Sequence, residues 1–246
     1  MSFGTMSFAQ YPVISDTLVA KKKFSLYEKK FPVRAFLIPV SLMAYGFMAP
    51  RTDATTDFSE FLHEEIWTES PHPLVHVDNY LQFVPAIAVY GLHIVGIKGR
   101  NNLLDASIIY LMSNIIMNTT VTIVKSISHE QRPNGEGYYS FPSGHTAEAF
   151  ASADFLYQEY RDISPWYGIA GYAVATSVAY LRMYNNKHWF HDVVAGAGFG
   201  ITSTRLSYWI YPKIKKLLSK NKSPNTVILP FYNDNIYGIT LAHVFK

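Results

Sequence analysis

Cysteine is absent from this chain of 246 residues. Disulfides, thiolate zinc sites and cysteine nucleophiles are therefore excluded, while the redox compartment stays open between a cytoplasmic and a periplasmic setting. Charge is also scarce. Asp, Glu, Lys and Arg make up 16% of the chain, against roughly 25% in an ordinary soluble domain. Apolar residues reach 49%. The net charge is only +3, and the basic residues gather in two clusters instead of interleaving with aromatics along a face, which argues against nucleic acid as a partner. Missing too are repeats, low-complexity tracts, an interdomain linker and any period-2 alternation that could build a central sheet.

What remains is a series of long apolar runs. Asn79 to Ile97, Ala106 to Val124 and Ile163 to Leu181 contain no Lys, Arg, Asp or Glu, and each is about the length that crosses a bilayer. Ala35 to Pro50 is shorter, and Trp189 to Tyr211 is interrupted only by Asp192 and Arg205. The segment after Gly144, HTAEAFASADFLYQEY, carries Glu148, Asp154 and Glu159, so it reads as a helix packed inside a bundle. The expected fold is thus all-α: a six-helix, membrane-embedded bundle. A short C-terminal β-hairpin is expected where β-formers flank Asn233-Asp234-Asn235. The chain reads as a single domain over 1–246, with an N-terminal arm (1–34), a helical core (35–212) and a hairpin tail (223–246).

Charge placement orients the bundle. Lys21, Lys22, Lys23, Lys29, Lys30 and Arg34 precede the first helix, and Lys213, Lys215, Lys216, Lys220 and Lys222 follow the last, whereas Arg51 to Asp78 holds one basic residue. By the positive-inside rule both termini are cytoplasmic. The competing reading is a water-facing helical protein whose ends these lysines solubilise, and a mean hydropathy of +0.04 is low for a polytopic membrane protein. The opening MSFGTMSFAQ lacks a complete secretory signal and is either the tail of one or a frayed terminus. Gly196, Gly198 and Gly200 follow no strand and have the wrong spacing for a dinucleotide loop, so they are read as close helix packing.

Three clusters fall at helix ends that open on the same side in this topology. Lys125-Ser-Ile-Ser-His-Glu-Gln-Arg132-Pro133 delivers two cations to one loop that proline stops as a helix. Phe141-Pro142-Ser143-Gly144-His145 starts a helix whose first N–H groups have no internal partner, a place suited to an anion. Arg182, His188 and Asp192 complete the set, and if the segment is helical His188 and Asp192 share a face. Each piece alone has a plainer explanation: a basic helix end, an N-cap, a hydrogen-bonded histidine, a capping Asp. Those explanations do not account for all three appearing in chain order at helix mouths.

Together these segments resemble the three signature motifs of the type 2 phosphatidic acid phosphatase family, whose superfamily also contains bacterial nonspecific acid phosphatases and vanadium haloperoxidases. The motif region runs from Lys125 to Asp192, and Leu181 departs from the serine common before the arginine. The resemblance implies a metal-independent phosphomonoesterase without cofactor, in which His188 attacks phosphorus and becomes phosphohistidine. It further implies that Asp192 holds the His188 ring and that His145 protonates the leaving alkoxide and then assists water. Lys125, Arg132 and Arg182 would clamp the phosphate oxygens, completed by Ser143 and the Gly144 N–H. The implied partner is a lipid phosphate of the phosphatidate, lipid A or polyprenyl phosphate type. The implied place is the bacterial inner membrane with the site facing the periplasm, or the periplasm with membrane association.

Several rivals share these residues. A haloperoxidase would use the same pocket for vanadate, an esterase using Ser143 would need an oxyanion hole in place of three cations, and a transporter or lipid-binding protein could retain the phosphate site without turnover. His129, His188, His191 and Asp192 could suggest a metal cluster, but no HExxH pattern is present and the adjacent cations repel a divalent ion. Glu148, one turn after His145, is expected to make a bundle hydrogen bond or to tune that histidine. Asn118-Thr119-Thr120 matches a glycosylation pattern inside an apolar run.

Overall fold

In the computed structural model, residues 31–69, 72–220, 226–233 and 236–243 are described. The opening decapeptide, Lys21 to Lys30, Lys222 and residues 234–235 of the expected turn lie outside them. Eight α-helices stand among the described residues: α1 Val33–Met48, α2 Asp53–His63, α3 Asp78–Leu81, α4 Val84–Ile94, α5 Leu103–Ser128, α6 Gly144–Tyr160, α7 Pro165–Tyr184 and α8 Phe190–Lys220. A two-stranded antiparallel hairpin follows, β1 Thr226–Asn233 and β2 Ile236–His243, in register from Thr226↔His243 to Asn233↔Ile236.

The count of six is corrected by α2 and α3. Ala54, Phe58, Phe61 and Leu62 recur at the spacing of one helical face, but five acidic residues from Asp53 to Glu65 mask this face in an apolar-run search. The run Asn79 to Ile97 is corrected as well. It is broken into α3 and an α4 of 11 residues, about 16 Å long and far short of the roughly 30 Å hydrocarbon core. Val33–Arg51 and Leu103–Ser128 are the two described helical segments long and apolar enough to cross a membrane.

Helix starts obey local chemistry. Asn102 caps α5 by accepting from Asp105 N at 2.9 Å, and Ser164 caps α7, whose first residue is Pro165. α5 stops at His129, which adopts a left-handed conformation with φ 46°.

α6 lies at the centre: thirteen of its seventeen residues are buried, so its polar composition does not mark it as a surface helix. Ala149, Ala153, Ala175 and Val178 join α6 to α7, and Ala86, Val89, Ala106, Phe155, Leu156 and Tyr160 join it to α4 and α5. The glycines of α8 let it approach two neighbours. A Cβ at Gly196 would stand 2.6 Å from Ser143 O, and one at Gly198 would stand 2.6 Å from Pro39 O of α1, so both positions require the absence of a side chain.

The three acids of α6 each meet a phenol from a different helix. Tyr110 of α5 donates to Glu148 at 2.5 Å, Tyr172 of α7 to Asp154 at 2.6 Å, and Tyr208 of α8 to Glu159 at 2.6 Å. Glu148 thus makes the bundle hydrogen bond, which accounts for it without a role at His145. Asp154 also pairs with Arg205 at 3.2 Å, so the charge that interrupts the α8 run has its counter-ion inside the bundle. Unpaired, either charge would carry a desolvation cost of several kcal/mol.

Candidate active site

The three sequence clusters meet where α5 ends and α6 and α8 begin. Lys125, in the last turn of α5, turns its ammonium toward the following loop and donates to Tyr139 O at 2.6 Å and Ser140 O at 3.3 Å. An ammonium has three donors, so one remains for a ligand. Arg132 sits in that loop, whose turn is closed by Gly135 N donating to Arg132 O and Arg132 N donating to Gly137 O. Its Nε is buried without a hydrogen-bond partner.

Ser143 is the N-cap of α6, and its hydroxyl accepts from Thr146 N and Thr146 Oγ1 at 3.4 and 3.0 Å. The side chain is fully buried, so its oxygen is committed to the helix start. Beside it, the space into which a Cβ on Gly144 would project is open for 4 Å, leaving room in front of the helix N-terminus where the free N–H groups point.

His188 lies in the turn before α8, not inside the helix as the shared-face expectation required. Asp192 sits at the third helical position and accepts from Trp189 N at 2.8 Å, one half of a capping box. The same Oδ2 faces His188 Nδ1 at 3.4 Å and accepts from Ser140 Oγ at 2.5 Å. The capping and ring-holding readings of Asp192 are therefore met by one oxygen. Oδ1 is buried and unpartnered, with His191 Nε2 3.7 Å away.

Electrostatics agree with the geometry. Burial drives the His188 imidazole from 6.5 down to about 4; Asp192 opposes the shift, and Arg182 and Lys125 reinforce it. The ring is neutral near pH 7, with Nδ1–H directed to Asp192 and the Nε2 lone pair available. Lys125, Arg132 and Arg182 lie within electrostatic reach of one another and of His145. Arg182 is buried, and its Nε, like that of Arg132, has no partner.

Five partners were missed in the sequence. Asp78 accepts from Arg182 Nη1 at 2.7 Å, and Asn79 Oδ1 accepts from His145 Nε2 at 2.8 Å. These residues head an apolar run and carry no motif of their own. Ser140, which donates to Asp192, carries no motif of its own either. Glu130 binds His191 Nε2, and Ser59 lies 3.3 Å from His191 Nδ1. Glu130, His191 and Asp192 offer ligand atoms within 4.8 Å of one another, a grouping that differs from the quartet weighed above: exposed His129 and His188 are not in it. The His191 ring already bridges Glu130 and Asp192, and Lys125 stands within electrostatic reach of Asp192, so the donors are engaged with each other.

The family model described as the PAP2 superfamily matches residues 124–216. A curated relative, the lipid A 1-phosphatase of Porphyromonas gingivalis, is 39% identical over 135 residues, which are 54% of this chain and 30% of that protein. The chain thus spans under a third of its relative's length. Among solved structures, LpxE of Aquifex aeolicus gives a TM-score of 0.47 at 22% identity, covering 59% of this chain and 92% of that one. A transmembrane PAP2-type phosphatidylglycerolphosphate phosphatase of Bacillus subtilis gives 0.46 at 19% identity, covering 76% and 98%.

Proposed function

Since residues 124–216 carry a PAP2-superfamily region, we propose that the chain is a lipid phosphomonoesterase working through phosphohistidine. The observation that carries this reading is the pair of buried, unpartnered donors, Arg132 Nε and Arg182 Nε, set in one field with Lys125 around a neutral His188. A buried donor left unpaired costs about 1–3 kcal/mol, and an oxyanion of a bound phosphate removes that cost. Phosphoryl transfer needs mainly positioning and charge stabilisation, both of which this set supplies.

In the first half-reaction, His188 Nε2 attacks phosphorus and the P–O ester bond breaks. Nδ1–H is held by Asp192, which stabilises the charge that forms on the ring. His145 gives a proton to the leaving oxygen, then takes one from the water that cleaves the P–N bond and releases inorganic phosphate. Lys125, Arg132 and Arg182 bind the equatorial oxygens, with the Gly144 N–H at the open helix end. Ser143 fixes that end by accepting from Thr146, and its remaining O–H is free to donate to a phosphate oxygen.

A lipid substrate is supported by the apolar surface beneath the site. Only 22% of the apolar window of α1 or of α5 is buried, and Leu111, Ile115 and Ile123 of α5 are all more than half exposed. A bilayer would cover this surface. α8, about 46 Å long at 1.5 Å per residue, carries Asp192 at one end and Lys213, Lys215 and Lys216 at the other. With the lysines cytoplasmic, the site faces the periplasm at head-group depth. The phosphate of a lipid A-type head group is the first substrate to test, given the name of the relative.

The experiment measures kcat/KM in detergent for a lipid A-type phosphate, phosphatidate and p-nitrophenyl phosphate. We expect the better lipid to exceed the aryl ester by at least about tenfold, roughly 1.4 kcal/mol of differential transition-state binding. Acid-labile phosphate should be trapped on wild type and not on His188→Ala. Equal constants would indicate a nonspecific phosphatase, and normal turnover by His188→Ala would remove the nucleophile assignment.

A further inference from the structure

We infer that Asp78 and Asn79, consecutive residues of α3, are positioning residues for the two sides of the reaction: Asp78 for the phosphate clamp and Asn79 for the leaving-group acid. This inference rests on the phosphatase reading. Asp78 is buried and accepts from Arg182 Nη1 at 2.7 Å, which fixes the guanidinium plane and leaves its buried Nε unspent. One residue on, Asn79 Oδ1 accepts from His145 Nε2 at 2.8 Å. Nε2 then keeps its proton, and Nδ1 is the ring atom that gains and loses one. Burial and the three cations hold the free His145 ring down to about 4. The negative charge of a bound phosphate offsets those cations and favours the imidazolium, whose Nδ1 proton passes to the ester oxygen as the P–O bond breaks. In the second half the same nitrogen receives a proton from water.

The turn that carries both residues is anchored to the strand of chain leading to His188. His72 stacks on Tyr184 with ring centroids 3.5 Å apart. Val75 N donates to Asn185 Oδ1 at 2.8 Å, and Asn185 Nδ2 donates back to Val75 O at 2.6 Å. His63 Nε2 meets Asn186 Oδ1 at 2.9 Å. The segment before α3 and the turn after α7 are therefore tied together directly, a connection that bypasses the helix bundle. A carboxylate serves Arg182 because it is a cation. Asn79 serves His145 by supplying a fixed acceptor oxygen at Nε2.

The test compares two phosphate esters with the full chain in detergent: dodecyl phosphate, whose alkoxide needs a proton to leave, and p-nitrophenyl phosphate, whose phenolate does not. kcat/KM is the readout because it covers formation of the phosphoenzyme, the step in which the leaving group departs. Asn79→Ala should lower the alkyl constant by about 30-fold, part of the range for a general acid, and the aryl constant by less than about threefold. Asn79→Asp retains an acceptor oxygen and should stay within about threefold of wild type on the alkyl ester. Asp78→Asn should lower both constants alike, by about tenfold or more, as loss of a phosphate-side contact does. Asn79 is exposed, so its replacement does not threaten the core.

Equal losses on both esters for Asn79→Ala, or no loss, would overturn its role. A loss for Asp78→Asn confined to the alkyl ester would overturn the division between the two residues. Inactive wild type, or an active His188→Ala, would instead refute the phosphatase reading itself.

Discussion

His188 Nδ1 and Asp192 Oδ2 stand 3.4 Å apart, both buried, across the first turn of α8. This is longer than the 2.7–3.2 Å of an ordinary N–H···O bond, while Trp189 N and Ser140 Oγ hold the same oxygen at 2.8 and 2.5 Å. The carboxylate is thus fixed by Trp189 and Ser140, and under the proposed mechanism the ring would close on it as positive charge develops.

Asp192→Asn should therefore leave the helix start largely intact, because the amide oxygen can still accept from Trp189 N, yet lose kcat by about 10³ to 10⁴, the scale seen for orienting carboxylates. Single-turnover kinetics checks this. A loss under about tenfold would remove the orienting role.

Ser140→Ala removes a charge-assisted bond worth roughly 1.5–3 kcal/mol. Because Trp189 still holds Asp192, we expect kcat to fall about tenfold with KM little changed. An unchanged kcat would show that the backbone N–H suffices.

The His188 titration has a definite sign. Its folded value, about 4, lies below the ordinary 6.5, so lowering the pH from 7 leaves the nucleophile neutral until about 4, where protonation removes its lone pair. The unfolded chain takes this proton first, so the group's contribution to stability is lost as pH falls from 6.5 toward 4. NMR titration of ring-labelled histidine should give a midpoint near 4, and Asp192→Asn should lower it further, since the carboxylate opposes the shift. A midpoint at or above 6.5 would contradict this account.

Positive charge supplied by side chains predicts that EDTA leaves turnover unchanged and that vanadate inhibits competitively. Loss of activity in EDTA, restored by a divalent ion, would point to Glu130, His191 and Asp192 as its ligands.

Topology can be tested in this cysteine-free chain with single cysteines at Tyr138 and Leu217, both more than half exposed. An impermeant maleimide on intact cells should label the first and spare the second. Ser140 would serve badly as a label site, because it is fully buried.

The groups proposed as catalytic were legible in the sequence because their chemistry is concentrated in short motifs. Lys125, Arg132, His145, Arg182, His188 and Asp192 lie within one electrostatic neighbourhood. Ser143 was legible in two ways, and its cap bond from Thr146 uses the oxygen's lone pairs while leaving the O–H for the other reading. The partners Asp78, Asn79 and Ser140 were not legible, since each reaches the site from a segment whose own pattern points elsewhere. α2 hid behind its acids, and α3 behind the apolar run it begins. The end of α8 was read at Tyr211, yet the helix continues past Pro212 to Lys220. Nothing in the apolar periodicity marks that extension.

The three phenol-capped acids of α6 bear on how the protein is made. In a bilayer, an α6 emerging alone would bring Glu148, Asp154 and Glu159 into hydrocarbon without their hydroxyl donors, so it cannot insert as an independent unit. Tyr110 precedes it in synthesis, but Tyr172, Tyr208 and Arg205 come later. The acids of α6 therefore gain all their partners only when α5, α7 and α8 have packed around it. The helix that begins at Gly144 and His145 thus depends for its buried acids on residues that lie up to 51 positions after those acids in the chain.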